Sequence, residues 1–173
     1  MPHQHDSMKS DRILSELKLL RESRTITDVD EPMVTVVLFS LDGELYAFPG
    51  ANVLEILPVE GISPIPGTPE CIPGLITVRG DIESVIDLRR VLDLPPPADA
   101  QGQILLATGG EVRSGVLIDG VEDVVDVLRT SILPPPRNLD RQTREFVAGG
   151  LERDGRSVTL LDPAGVFARA VAP

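Results

Sequence analysis

From Val34 onward the apolar residues fall in short runs that alternate with polar ones and are broken by glycine, proline or aspartate. Such a chain reads as strands joined by tight turns. Val34 to Leu41 is rich in β-branched residues, Asp42-Gly43 is a two-residue hairpin signal, and Glu44 to Phe48 returns the chain. Val53 to Val59 is a further strand, and Ile62-Ser63-Pro64-Ile65-Pro66-Gly67 is an extended connector. Gly74 to Val78 and Ile82 to Ile86 follow across a turn at Arg79-Gly80-Asp81. Asp87 to Leu92 then gives one or two helical turns, stopped by Pro95-Pro96-Pro97. Ahead of all this the period is different. Between Asp11 and Arg24, Ile13, Leu17 and Leu20 recur at i, i+4 and i+7 with Leu14 beside them, an amphipathic helix that Ser10 can cap.

The order of strand elements then recurs. Ile104 to Thr108, Gly109-Gly110 and Ser114 to Ile118 repeat the first hairpin; Val121 to Val127 repeats the strand around Glu55; Ile132 to Pro136 repeats the proline connector. Gly150-Leu151, a turn at Asp154-Gly155, and Ser157 to Asp162 complete the series. The pairs Val37 and Ile104, Ile62 and Ile132, Gly74 and Gly150, and Asp87 and Asp162 are separated by 67, 70, 76 and 75 residues. Self-similarity at about half the chain means two related units rather than a solenoid. Each unit offers about five short strands, the pattern of a small antiparallel barrel, and a domain of ~60 residues is only marginally stable alone. The expected fold is therefore all-β: two five-stranded antiparallel barrels, one over about 34–97 and one over about 103–162, sharing a hydrophobic seam. An extension over 1–32 precedes them, and a short helix over about 163–171 closes the chain.

Composition narrows the function. Of 173 residues only 3% are aromatic, one Tyr (Tyr46) and four Phe with no Trp, so the core is expected to be aliphatic and stacking on bases or sugars is disfavoured. Sixteen Lys and Arg against 27 Asp and Glu give a net charge of −11, which repels phosphate backbones and anionic membranes. A small-barrel nucleic-acid binder is the reading this charge disfavours most. No apolar run approaches the ~18 residues that span a bilayer, and no targeting segment is evident, so a cytoplasmic protein without membrane insertion is expected. The single Cys71 has no partner for a disulfide or metal and reads as a small buried hydrophobe.

The chemistry of an enzyme is missing from the motifs. Phosphate-binding, dinucleotide-binding, zinc-protease and serine-hydrolase signatures are absent, and both histidines, His3 and His5, sit in the polar start. The Glu122-Asp123 pair has no partner group and reads as a solvated strand edge; Arg137, Arg141 and Arg144 form either an anion site or a solvated loop. No catalysis, cofactor or metal is expected.

Taken in order, Phe39-Ser40-Leu41-Asp42-Gly43-Glu44-Leu45-Tyr46-Ala47, Val53-Leu54-Glu55-Ile56-Leu57, Ile72-Pro73-Gly74-Leu75-Ile76-Thr77-Val78-Arg79-Gly80, Ser84 to Arg89, Gly115 to Val121 and Leu160-Leu161-Asp162 resemble the CheW family, the coupling proteins of bacterial chemotaxis arrays. The resemblance implies two SH3-like barrels and a scaffold that touches two partners: the cytoplasmic tip of a methyl-accepting chemoreceptor and the regulatory domain of the histidine kinase CheA. It implies a cytoplasmic protein recruited to membrane-associated receptor arrays. A CheW-like adaptor of a motility or developmental pathway is the alternative it leaves open.

The resemblance also carries residues. The family's Asn-Leu-Arg-Gly motif places its Arg on Arg79, a receptor contact, and Val53, Glu55 and Gly74 fall on positions tied to kinase or receptor binding. Here the motif reads Thr77-Val78-Arg79-Gly80, and Glu83-Ser84-Val85 stands where the family usually has an apolar-Pro-Val run. Two expectations follow: an ion pair between Arg79 and Glu55 across neighbouring strands at the seam, and a gap between barrels that presents Val, Ile and Leu to an amphipathic receptor helix.

Overall fold

The structure is a computed structural model that describes residues 15–19, 31–99 and 101–172. The chain divides into two compact units, Met1–Met33 and Val34–Pro173. In the first, residues 15–19 are helical with Leu17 and Leu19 exposed. Ser10, Ile13, Leu14, Leu20 and both histidines lie outside the described residues, and so does most of the expected helix.

The second unit holds β1 (Met33–Leu41), β2 (Glu44–Pro49), β3 (Val53–Pro58), β4 (Gly74–Val78), β5 (Asp81–Asp87) and a helical turn α1 (Leu88–Val91). It continues with β6 (Gln103–Gly109), β7 (Val112–Ile118), β8 (Gly120–Leu128), α2 (Arg141–Arg144), β9 (Val147–Arg153), β10 (Arg156–Leu161) and α3 (Pro163–Val171). The hairpin turns are those the sequence marks: Asp42-Gly43, Arg79-Gly80 and Asp154-Gly155 all have positive φ at both residues, the backbone a two-residue hairpin needs. Asp87 and Asp162 end their strands by accepting hydrogen bonds from Arg89 N and Ala164 N, capping α1 and α3 alike.

Strand pairing departs from the sequence-contiguous halves. One sheet runs β8-β1-β2-β10-β9 and the other β3-β6-β7-β5-β4. Moving each strand five places along the chain converts one order into the other, so the repeat is a pseudo-twofold with exchanged hairpins. Each barrel takes its hairpin from one half and three strands from the other, and the boundary near Pro97 does not separate them. Ala47 lies opposite Leu38 and beside Leu160, as Gly115 lies opposite Leu106 and beside Val85. These registers fix the equivalences at 68 residues in the hairpins and 75 in β4, β5 and α1. Gly74 therefore matches Gly149 rather than Gly150. Both are buried where a Cβ would run into the carbonyl of a proline connector, Ser63 for Gly74 and Leu133 for Gly149; only glycine admits that approach.

The packing follows the exchange. A shared core joins both sheets and two helices through Phe39, Phe48, Ile86, Leu88, Leu105, Val116, Leu161 and Val166. All four phenylalanines belong to it, with Phe39 and Phe48 rings 5.2 Å apart and Tyr46 packed alongside. The core is thus less aliphatic at its centre than composition suggests, since the few aromatics are concentrated there. Each barrel adds a smaller cluster of its own: Val36, Leu38, Leu45, Ala47, Leu151, Val158 and Leu160 in the first, and Ile76, Val85 and Ile104 in the second.

Candidate functional site

The hairpin between β4 and β5 carries the sharpest local anomaly. In the other two described hairpins of this type the first left-handed residue is an aspartate, Asp42 or Asp154; here it is Arg79, at φ +51°. Aspartate is favoured at such positions because its short side chain bonds locally, whereas a long side chain gains nothing from them. Arg79 is also the pseudo-twofold counterpart of Asp154. Its side chain is 80% exposed, and Nη2 donates to Glu55 Oε1 at 3.1 Å. A pair this open adds ~0–1 kcal/mol at most, so its effect is to orient the guanidinium.

The expected pair is present, but its setting is different. Glu55 on β3 and the turn after β4 stand at opposite edges of one sheet order, so the contact bridges the two edge strands of the second barrel and not neighbouring strands at the seam. The first barrel has a looser counterpart, Arg153 on β9 with Asp123 on β8 at 3.8 Å. Val53 is half buried and packs on the shared core. Gly74 lies beneath the connector, out of reach of a partner's side chains. Sequence motifs thus bring Glu55 and Arg79 together and leave Val53 and Gly74 as supports of the same edge.

Beside this edge a second guanidinium comes from β7. Arg113 contacts Glu83 on β5, and reaches Asp81 Oδ2 at 3.4 Å. The hydrogen bond and charge of Glu83 push the Arg113 pKa above its ordinary value. Exposed Ile82 (70%), Val112 (53%) and Leu54 (51%) belong to the same end of the barrel. Pattern reading passed over Arg113; only the pairing of β5 with β7 shows its role.

A third arginine is structural. Arg89 on α1 is 8% exposed; Nε and Nη2 donate to Asp119 at 3.2 and 2.7 Å, and Nη1 donates to Pro95 O at 2.7 Å and Asp42 Oδ1 at 3.4 Å. Burial pulls its pKa down, but hydrogen bonding and charge from Asp119 and Asp42 override this and the net shift is upward. Asp119 stands where the chain crosses from β7 to β8, so Arg89 staples that crossing to the β1–β2 turn.

Other candidates carry less. A groove of about 580 Å³ lined by Tyr46, Leu133, Pro136, Leu139 and Phe146 contains none of Val53, Glu55, Gly74 or Arg79. In the arginine cluster, Arg144 donates to the carbonyls of Arg137 and Leu139 and so braces its loop. Burial raises the Cys71 thiol above its ordinary value beside the shared core. No group of three His, Cys, Asp or Glu among the described residues is placed to hold a metal ion.

Residues 35–171 match the CheW-like domain family. This chain belongs to the CheW family. It is 25% identical over 127 residues to the chemotaxis protein CheW of Thermotoga maritima, covering 73% of this chain and 83% of that one. With CheW of Treponema pallidum it shares 29% over 103 residues, 60% of this chain and 56% of the relative. The crystal structure of the scaffolding protein TtCheW from Thermoanaerobacter tengcongensis superposes with a TM-score of 0.71 at 29% identity, covering 79% of this chain and 93% of that one. The CheW fold of two SH3-like barrels accounts for the two five-stranded sheets, and CheW proteins are chemotaxis scaffolds, in general without enzymatic activity. No helix among the described residues is long and apolar enough to cross a membrane.

Proposed function

We propose that this chain is a coupling scaffold that holds the cytoplasmic tip of a chemoreceptor and the regulatory domain of the kinase CheA together, in the cytoplasm at membrane-associated receptor arrays. The observation that carries this reading is Arg79. A residue that its turn does not favour, held outward by Glu55 at 3.1 Å, is kept for what it touches. Val53 and Gly74 set the edge strands from which Glu55 and Arg79 project. Recognition by a fixed guanidinium beside exposed aliphatics suits an amphipathic helix, and needs no reacting group.

The test is a calorimetric titration of a chemoreceptor cytoplasmic fragment and a CheA regulatory domain from the source organism into three proteins: wild type, Arg79→Ala and Arg79→Asp. The aspartate variant carries the residue that the other hairpins use, which suits the left-handed turn position, while its charge is reversed. Binding of the chemoreceptor fragment is expected to weaken about tenfold in Arg79→Ala and further in Arg79→Asp. Unchanged affinity for both partners overturns the assignment.

A further inference from the structure

The pseudo-twofold carries each residue of one barrel onto a residue of the other, and at one strand pair the two disagree. Val85 beside Gly115 in the second barrel corresponds to Leu160 beside Ala47 in the first. Two residues earlier on each strand the first barrel has Val158 beside Leu45, 2% and 7% exposed. The second barrel has Glu83, 6% exposed, held by Arg113. Between these levels Ser84 and Ser114 share a hydrogen bond of 2.9 Å, and the Ser114 hydroxyl also approaches the Ser84 carbonyl at 2.9 Å. The polar ladder is matched across both strands, so one strand's polar residues answer the other's.

Stability does not explain it. An apolar pair of similar volume serves a barrel core at least as well as a buried ion pair, and the equivalent site of this same chain uses one. What Glu83 does is fix Arg113, whose side chain remains 42% exposed at the end of the barrel where Arg79 stands. A guanidinium has five donors in a rigid fork, and beside Glu83 the ion-pair partner of this one among the described residues is Asp81, at 3.4 Å and itself 69% exposed. Ile82 and Val112, one residue before Glu83 and Arg113, are both exposed.

We propose that Glu83 and Arg113 are partner-selecting residues: Glu83 holds the Arg113 guanidinium at the mouth of the second barrel, where it receives a carboxylate of an amphipathic helix whose apolar stripe covers Ile82 and Val112. The partner carboxylate takes the place of Asp81 on the fork. This rests on the reading of the Arg79 edge as the partner face, and adds that two guanidiniums, separately anchored, read the spacing of acidic groups along the helix.

The experiment replaces the pair by what the other barrel uses, Glu83→Val with Arg113→Leu, and titrates the same chemoreceptor fragment at low and high salt. The melting temperature is expected to hold or rise, affinity to fall about tenfold, and the salt dependence of binding to flatten. Asp81→Asn, which removes the competing carboxylate, is expected to strengthen binding about threefold. If the double variant loses its cooperative melt, Arg113→Gln, which leaves a donor for Glu83, takes its place in the titration. Unchanged affinity in the double variant while Arg79→Ala weakens binding overturns this inference and leaves the proposed function standing. Unchanged affinity in both overturns the partner face itself, and weaker binding in Asp81→Asn means that the partner presents a cation there, which also overturns the proposal.

Discussion

The barrel built on β1 and β2 and the barrel built on β6 and β7 have the same strand order, yet they are filled differently. In the first, seven buried residues, from Val36 to Leu160, form a continuous apolar cluster of its own. In the second only Ile76, Val85 and Ile104 do so; Gly115 stands where the first has Ala47, Ser114 is fully buried, and Glu83 and Arg113 replace Val158 and Leu45. The crossings between barrels differ in the same sense. From β2 to β3 the chain is held by neutral bonds, Asn52 Nδ2 donating to Thr108 O at 2.9 Å and Thr108 Oγ1 to Asn52 O at 3.4 Å. From β7 to β8 the matching neutral bond, Ser40 Oγ donating to Gly120 O at 3.3 Å, is joined by the ionic set of Arg89, Asp119 and Asp42. A repeat whose two copies are equally stable by design has no reason to place a buried charge in one copy only. The first barrel reads as the packed partner of the pair, and the second as the copy whose interior was given over to arranging charge at its mouth.

The strongest way to break this comparison is to move the charge. Val158→Glu puts a carboxylate at a buried position where the first barrel has Leu45 alongside in place of an arginine, and the uncompensated charge is expected to cost about 3–5 kcal/mol. A urea unfolding curve that shifts by less than a third of that shows the barrels to be equally tolerant. Next in size is the contrast between crossings. Arg89→Ala leaves the Pro95 carbonyl without its donor and Asp119 with the Asp42 N–H but no guanidinium, and is expected to cost about 3 kcal/mol, the low end for a broken buried pair because both aspartates keep some solvent; Asn52→Ala, which removes one neutral bond, is expected to cost about 1 kcal/mol. Equal costs by the same titration erase the distinction.

The smallest effect is a pH dependence outside both barrels. The side chain and backbone N–H of Thr143 hydrogen-bond to Asp140 and hold its carboxyl below the ordinary aspartate range. A depressed folded-state pKa gives stability above the unfolded value that is lost as pH falls through the folded one. Asp140→Asn should therefore lower stability by a small, constant amount from neutral pH down to the ordinary aspartate range, and the difference from wild type should close as pH falls through the folded-state pKa. A difference that persists unchanged below the aspartate range shows another interaction at work.

Legibility in the sequence tracked distance along the chain. The turns at Asp42-Gly43, Arg79-Gly80 and Asp154-Gly155, the caps at Asp87 and Asp162 and the repeat itself depend on residues within a few positions of one another, and each is visible as a local pattern. The pairing of Arg79 with Glu55 was reached through the family's motifs, but its place across the barrel edges was not, because the order of strands in a sheet leaves no mark on either residue. Glu83 is visible as a departure from the family's apolar run, but its pairing with Arg113 is not, for the same reason. Nothing near Arg113 in sequence announces a buried carboxylate 30 residues away; aligning the two halves at the registers of the folded sheets reveals it, since Val158 and Leu45 then stand at the matching positions.

By itself the sequence determined ten strands, their turns, the division into two similar halves, and a turn, Arg79-Gly80, where its repeat has Asp154-Gly155. Tertiary structure decided which half each strand serves. Backbone ladders are chemically alike, and two similar halves offer each hairpin nearly the same set of partners, its own or the other's. What separates the choices is burial: with the hairpins exchanged, Phe39 and Phe48 from β1 and β2 meet Leu105 and Val116 from β6 and β7 in one shared core, and neither barrel has to be stable alone.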